Sequence, residues 1–253
     1  HLMYRFEAQE IANCGWDYTN TSSYITVSFW VKSSVSQNFY GDLVSKDGTA
    51  RNYVFDTGTL SATTWTKITK TIPGNSGLQF DNDVNSGLDL RLFQFLGTYR
   101  TGSGSTTNAW QTYSSSERTP DQTSTWYTTN DATWEITGVQ LEVGSVATPF
   151  EHRSYGDELL RCKRYFNMMA DGSLGTARMI SDGFWWSNNE VDFMYTFPVE
   201  MRTTPSVYQV MSTAYVQVQG GGVSPTLDGN WTLQYATKMG TSHYTGKTGG
   251  GTA

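Results

Sequence analysis

Trp185 and Trp186 stand side by side, with Asp182, Asn188 and Asn189 close to them in the chain. Flat aromatic rings stack on the apolar faces of sugars, while amides and carboxylates bond the hydroxyls at the rim. In an extended segment adjacent side chains point to opposite faces, so at least one of the two indoles turns away from the core of its own subunit. The competing explanation for an outward indole is packing across a subunit interface, where exposed aromatics also gather. Trp110, Tyr113, Trp126 and Tyr127 form a second candidate platform. Taken singly, each of these four reads more readily as loop packing than as a ligand contact.

Other chemistries fit less well. The run Asp81, Asp83, Asn85, Gly87 alternates oxygen-bearing residues as a calcium loop does, but Ser86 stands where that loop needs glycine and Leu92 where it needs a bidentate glutamate. A solvated turn is the better reading. Gly246, Lys247 and Thr248 have the wording of a phosphate loop's end, yet Gly240 is one residue too distant and no strand-loop-helix unit frames them. There is no nucleophile elbow, and His152, between Glu151 and Arg153, suits a hydrogen-bonded structural role. A glycosidase needs only two carboxylates about 5 to 10 Å apart, so Glu135, Glu142, Glu190 and Asp192 stay in view; acids without a motif are usually surface charge. The sequence therefore predicts no catalytic residue, no metal site and no cofactor.

Residues such as these need a scaffold, and the composition specifies its kind. Of 253 residues only 16% are charged, while Gly (25), Trp (9), Tyr (15) and Phe (12) are plentiful, a mixture that favours strands and turns over helices. The net charge of −6, with no basic run, leaves nucleic acid without its phosphate-neutralising surface. No window approaches the length of an apolar membrane span, and the first ten residues lack the pattern of a secretory signal. Cys14 and Cys162 are expected as free, buried thiols. The opening residues lead straight into a strand-like stretch, 4–10, so the chain is expected to begin inside a longer protein.

Across 24–34 the pattern alternates: Ile25, Val27, Phe29 and Val31 face one way, Thr26, Ser28, Trp30 and Lys32 the other. Similar runs at 53–55, 65–72, 88–95 and 134–143, separated by turn residues, predict an all-β antiparallel sandwich or jelly roll. Within 134–143 the apolar positions switch from even (Trp134, Ile136) to odd (Val139, Leu141, Val143) at Gly138, which predicts a β-bulge there. The stretches 97–108 and 113–130 read as long surface loops. Near Pro149 the organisation changes. Ser154 and Asp157 have capping spacing, and Leu159, Cys162, Lys163 and Phe166 share one helical face, which predicts a single short helix. Strands then resume, with Val191, Phe193, Tyr195, Phe197 and Val199 on one face and Trp231, Leu233, Tyr235 and Met239 in another run; 246–253 reads as a poorly ordered end. The expected division is 1–150, a junction at 151–166, and a small distal β domain at 167–253 that needs a neighbour to complete its core.

The segment ITGVQLEVGSVATPFEHRSYGDELLRCKRYF at 136–166 closely resembles a family of bacteriophage tail-fibre and virion structural proteins. YITVSFWVKSS at 24–34 and TFPVEMRTTPSV at 196–207 agree with it. The resemblance implies a carbohydrate-binding-module-like jelly roll followed by a short helix and a small distal β domain. It also implies a virion location after assembly in the host cytoplasm, a homotrimer, and contact with other tail or fibre proteins. Its functional implication is reversible recognition of host surface polysaccharide or lipopolysaccharide, with no membrane insertion. A purely structural connector or decoration protein is the first alternative and a polysaccharide depolymerase the second.

Overall fold

The computed structural model describes residues 1–169, 181–187, 190–206, 216–217, 226–227 and 232–246. They fall into two compact units, His1–His152 and Arg153–Ala253. The first runs β1 (Leu2–Glu7), α1 (Ala8–Ala12), β2 (Tyr24–Ser33), β3 (Asn38–Ser45), β4 (Arg51–Thr59), β5 (Thr66–Pro73), β6 (Ser86–Phe93), β7 (Trp110–Thr112), α2 (Thr125–Thr128) and β8 (Trp134–Val143). The second holds α3 (Tyr155–Lys163), β9 (Gly183–Ser187), β10 (Glu190–Thr196), β11 (Val216–Gln217), β12 (Thr226–Leu227), β13 (Thr232–Ala236) and β14 (Gly240–Gly246).

The first unit is an antiparallel sandwich with jelly-roll strand alternation. One sheet is ordered β1-β6-β3-β4-β7, and the other β5-β2-β8. The period of two along β2 decides what lies between them: Ile25, Val27, Phe29 and Val31 are all buried in the core. They meet Leu43 from β3, Tyr53 and Phe55 from β4, and Leu88, Leu90 and Leu92 from β6. Each such side chain withdrawn from water contributes roughly 1.5–3 kcal/mol. Gly41 is part of this packing, because a Cβ there would come within 2.6 Å of the Phe55 ring.

The expected bulge is present. Trp30 pairs with Thr137 and Ser28 with Gln140, so Gly138 and Val139 together oppose Phe29. Gly138 has φ +61°, the left-handed conformation that glycine adopts freely. The extra residue turns Leu141 and Val143 toward the side that faces Val27 and Ile25.

Both outer faces of the sandwich carry a covering segment. Over β3, β4 and β6 lies the stretch after β6, so the expected surface loops are in part buried: Thr101, Ser105 and Thr119 are closed off from water. Beneath it Arg91 forms a bidentate, buried pair with Asp42 and donates to Tyr113 Oη at 3.2 Å. Over the three-stranded sheet runs a strap, 144–152. The Thr26 hydroxyl donates to Gly144 O at 2.8 Å, Thr71 to Ser145 O at 3.1 Å, and Glu151 N to Gln140 Oε1 at 2.8 Å. Glu142 accepts from both the Thr148 amide and its hydroxyl. The outward side chains Gln140 and Glu142 thus fasten the segment that follows them.

In the second unit Ser154 caps α3, its hydroxyl accepting from Asp157 N at 3.2 Å. No residue of α3 is buried. The C-terminus of α3 is tied within its own unit, Arg202 N donating to Arg164 O at 2.9 Å. A four-stranded sheet is ordered β13-β14-β10-β9, and β11 pairs with β12. Val191, Phe193, Thr241 and His243 are buried on one of its faces, with the Phe193 and His243 rings stacked 5.2 Å apart.

Several expectations are corrected. The strand-like opening ends at Glu7, where a capping box with Glu10 starts α1. Cys14 and Cys162 are free but exposed, not buried, because Cys14 lies just past α1 and Cys162 sits on a helix with no buried face. Tyr235 does not share Leu233's face: a register shift between them pairs Leu233 with His243 and Tyr235 with Ser242, turning Tyr235 outward. Trp231 and the stretch 247–253 lie outside the described residues.

Candidate functional site

Trp186 occupies a bulge. Ser187 pairs with Glu190 and Trp185 with Val191, which leaves Trp186 as the extra residue of β9, 71% exposed. A bulge re-aims a side chain out of the regular pleat. On the outer face of the same sheet stand Phe184, opposite Asp192, and Tyr235, opposite Ser242, exposed by 53% and 71%. Met194, also opposite Ser242, adds an exposed thioether. Two bulges, at Trp186 and Gln234, therefore turn aromatic residues toward water on a small sheet whose other face is closed by Val191, Phe193 and His243. Such a surface offers rings for stacking. The side chain of Trp185, and Asn188 and Asn189 altogether, lie outside the described residues.

The second candidate platform is dispersed. Trp110 donates its indole N–H to Pro73 O at 2.7 Å and meets Tyr53 edge to face, so it belongs to the rim of the sandwich core. Trp126 donates to Thr133 O at 3.1 Å and packs edge to face on Phe39. Tyr113 lies against Arg91, whose guanidinium is 5.1 Å from its ring. Burial opposes the charge on Arg91, but Asp42 and Tyr113 together hold its pKa above the usual arginine value. Tyr127 alone is well exposed, stacked on Phe95 at 4.6 Å.

Several of the residues considered for other chemistries have structural partners. Asp83 Oδ1 accepts from Asn85 N at 2.9 Å, closing its own turn. Glu135 pairs with Lys32 at 2.9 Å. Slight burial works against the Glu142 anion, but bonds from Thr148 and Gln140, with Lys67 nearby, hold its pKa below the ordinary glutamate range. His152 meets the Phe150 ring edge to face at 5.0 Å. Among the described residues no group of three or more His, Cys, Asp or Glu side chains could hold a metal ion, and no helix is long and apolar enough to cross a membrane.

Phe184 and Met194 were not among the residues singled out from the sequence. Their alternation with Val191 and Phe193 across the β9–β10 pair was the signal available, since one apolar face of a two-faced sheet must meet something other than its own core. No family model, curated protein or solved structure matches the chain.

Proposed function

We propose that this chain is a host-recognition module of a phage virion, which holds surface polysaccharide or lipopolysaccharide reversibly and without cleaving it. The observation that carries the reading is Trp186, raised on a bulge with 71% of its surface in water, on a sheet that also turns Phe184 of the same strand and Tyr235 of the opposite edge strand outward. Leaving apolar surface exposed sacrifices roughly 25 cal/mol for each Å² not buried, so a sheet face with several outward rings points to a ligand or partner that covers them. The virion setting rests on the resemblance of the 136–166 segment to tail-fibre proteins. In a trimer, several weak sites would act together on a repetitive glycan and raise the avidity.

Binding of the intact protein to host cells and to a glycan array, beside a Trp186→Ala, Tyr235→Ala variant, tests this. The expected result is a fall of at least about tenfold in apparent affinity with an unchanged oligomer by light scattering. A second reading, a structural connector, draws on α3, which buries none of its residues while Tyr155 is 82% exposed. Absence of glycan binding by the intact oligomer, together with loss of assembly on changing Tyr155 and Leu159 to Ser, would favour the connector.

A further inference from the structure

The outer face of the three-stranded sheet is covered only in part. The strap holds the end bearing Thr26, Thr71, Gln140 and Glu142. Toward the other end the face lies open, and the rows across it can be read from the register. Trp30 lies between Lys67 on β5 and Thr137 on β8. In the next row Lys32 is paired with Glu135, and its ammonium sits 5.1 Å from the centre of the Trp65 ring. Trp30 and Trp65 are 42% and 41% exposed.

Two features set this end apart from an ordinary solvated face. The outward series of β2 is Thr26, Ser28, Trp30, Lys32, so the indole is the one member that solvation does not explain. Its partner Trp65 stands just before β5, and the Lys32 ammonium over its ring ties it to the same face. Gly138 keeps the surface beside Trp30 low: a Cβ there would lie 3.5 Å from the indole and 3.8 Å from the Phe150 ring, which walls the site at the strap end. The charge is also uneven. Lys32 and Lys67 face the single carboxylate of Glu135 in these rows, and Lys67 is exposed with no ion pair among the described residues. The next carboxylate, Glu142, is bonded by Thr148 and lies near enough to Lys67 to feel its charge, but no ion pair joins the two.

We infer that this face of the first unit is a second saccharide site, and that it takes an acidic polysaccharide. Sugar rings stack on Trp30 and Trp65, and a uronate or similar carboxylate pairs with Lys67. The ligand class rests on the proposed function above; the site and its preference for negative charge do not depend on Trp186.

The intact protein would be tested for binding to alginate and purified acidic bacterial capsular polysaccharides, with dextran as the neutral probe. Three variants accompany it: Trp30→Ala with Trp65→Ala, Lys67→Gln, and Trp186→Ala. The expected result is retention of an acidic chain but not dextran, a loss of more than about tenfold in the double variant, and a several-fold loss with a flatter salt dependence in Lys67→Gln. Failure of every acidic polysaccharide to bind, or undiminished binding by a folded double variant, overturns the inference. So does a change in oligomeric mass with binding retained, which makes the face a subunit contact. Should the double variant unfold, the substitution of the exposed Lys67, Lys67→Gln, decides alone. Glycan binding abolished by Trp186→Ala and untouched by the other variants would uphold the proposed function while removing this site.

Discussion

At Gly138 the backbone holds φ +61° between a core-facing stretch of even-numbered residues and one of odd-numbered residues. A side chain there is disfavoured in the left-handed conformation by about 1–2 kcal/mol. Gly138→Ala is therefore expected to lower the unfolding free energy of the first unit by about that amount, read as a shifted midpoint in chemical denaturation with an unchanged slope. This bulge was legible in the sequence because strand periodicity is local: a break in parity needs only neighbouring residues to be seen. The roles of Trp110 and Trp126 were not legible, since the groups that claim them, Pro73 O, Tyr53 and Phe39, come from distant strands. The Asp42–Arg91 pair was hidden for the same reason, its partners being 49 residues apart and its burial supplied by a loop that the composition marks as surface. Tyr235 failed differently, because its bulge at Gln234 has no glycine and no parity break to announce it.

Among the elements, the strap 144–152 accounts for much of the distinctive wording of its segment. Gln140 and Glu142 point outward from β8 and bond the backbone and hydroxyl groups that come next. Glu142 is held below its ordinary pKa, so its contribution is complete at pH values above the usual glutamate range and is lost as pH falls through the lowered value. Because the group is partly solvated, that contribution is no more than about 1 kcal/mol. Glu142→Gln is expected to raise amide exchange across 144–152 at neutral pH to the level the unmodified protein reaches in acid, and to make the strap insensitive to pH. Equal protection in both proteins at neutral pH would show that Glu142 does not fasten it. The capping of α3 could be read from Ser154 and Asp157 alone, whereas the strap could not, since it depends on which strand face the two side chains occupy.

For the whole molecule, the two units differ in what acid does to them. His243 is buried against Phe193, and burial lowers its pKa. An imidazole held below its unfolded value, ordinarily about 6.5, stabilises the fold above that value and gives the stability up as pH drops through the lowered folded value. Thermal unfolding is thus expected to show the second unit melting earlier as pH falls below the ordinary histidine range, with His243→Phe removing that slope. The division itself, between His152 and Arg153, brings a further property. Cys14 belongs to one unit and Cys162 to the other, and both thiols are free and exposed. A nitroxide or a fluorescent dye attached to each makes the unaltered chain its own ruler. A narrow distribution of label-to-label distances would mean that the units travel as one body, and a broad one that they swing on the connection after His152. The same two thiols, read with and without polysaccharide, would report whether engaging a cell surface changes the posture of the protein.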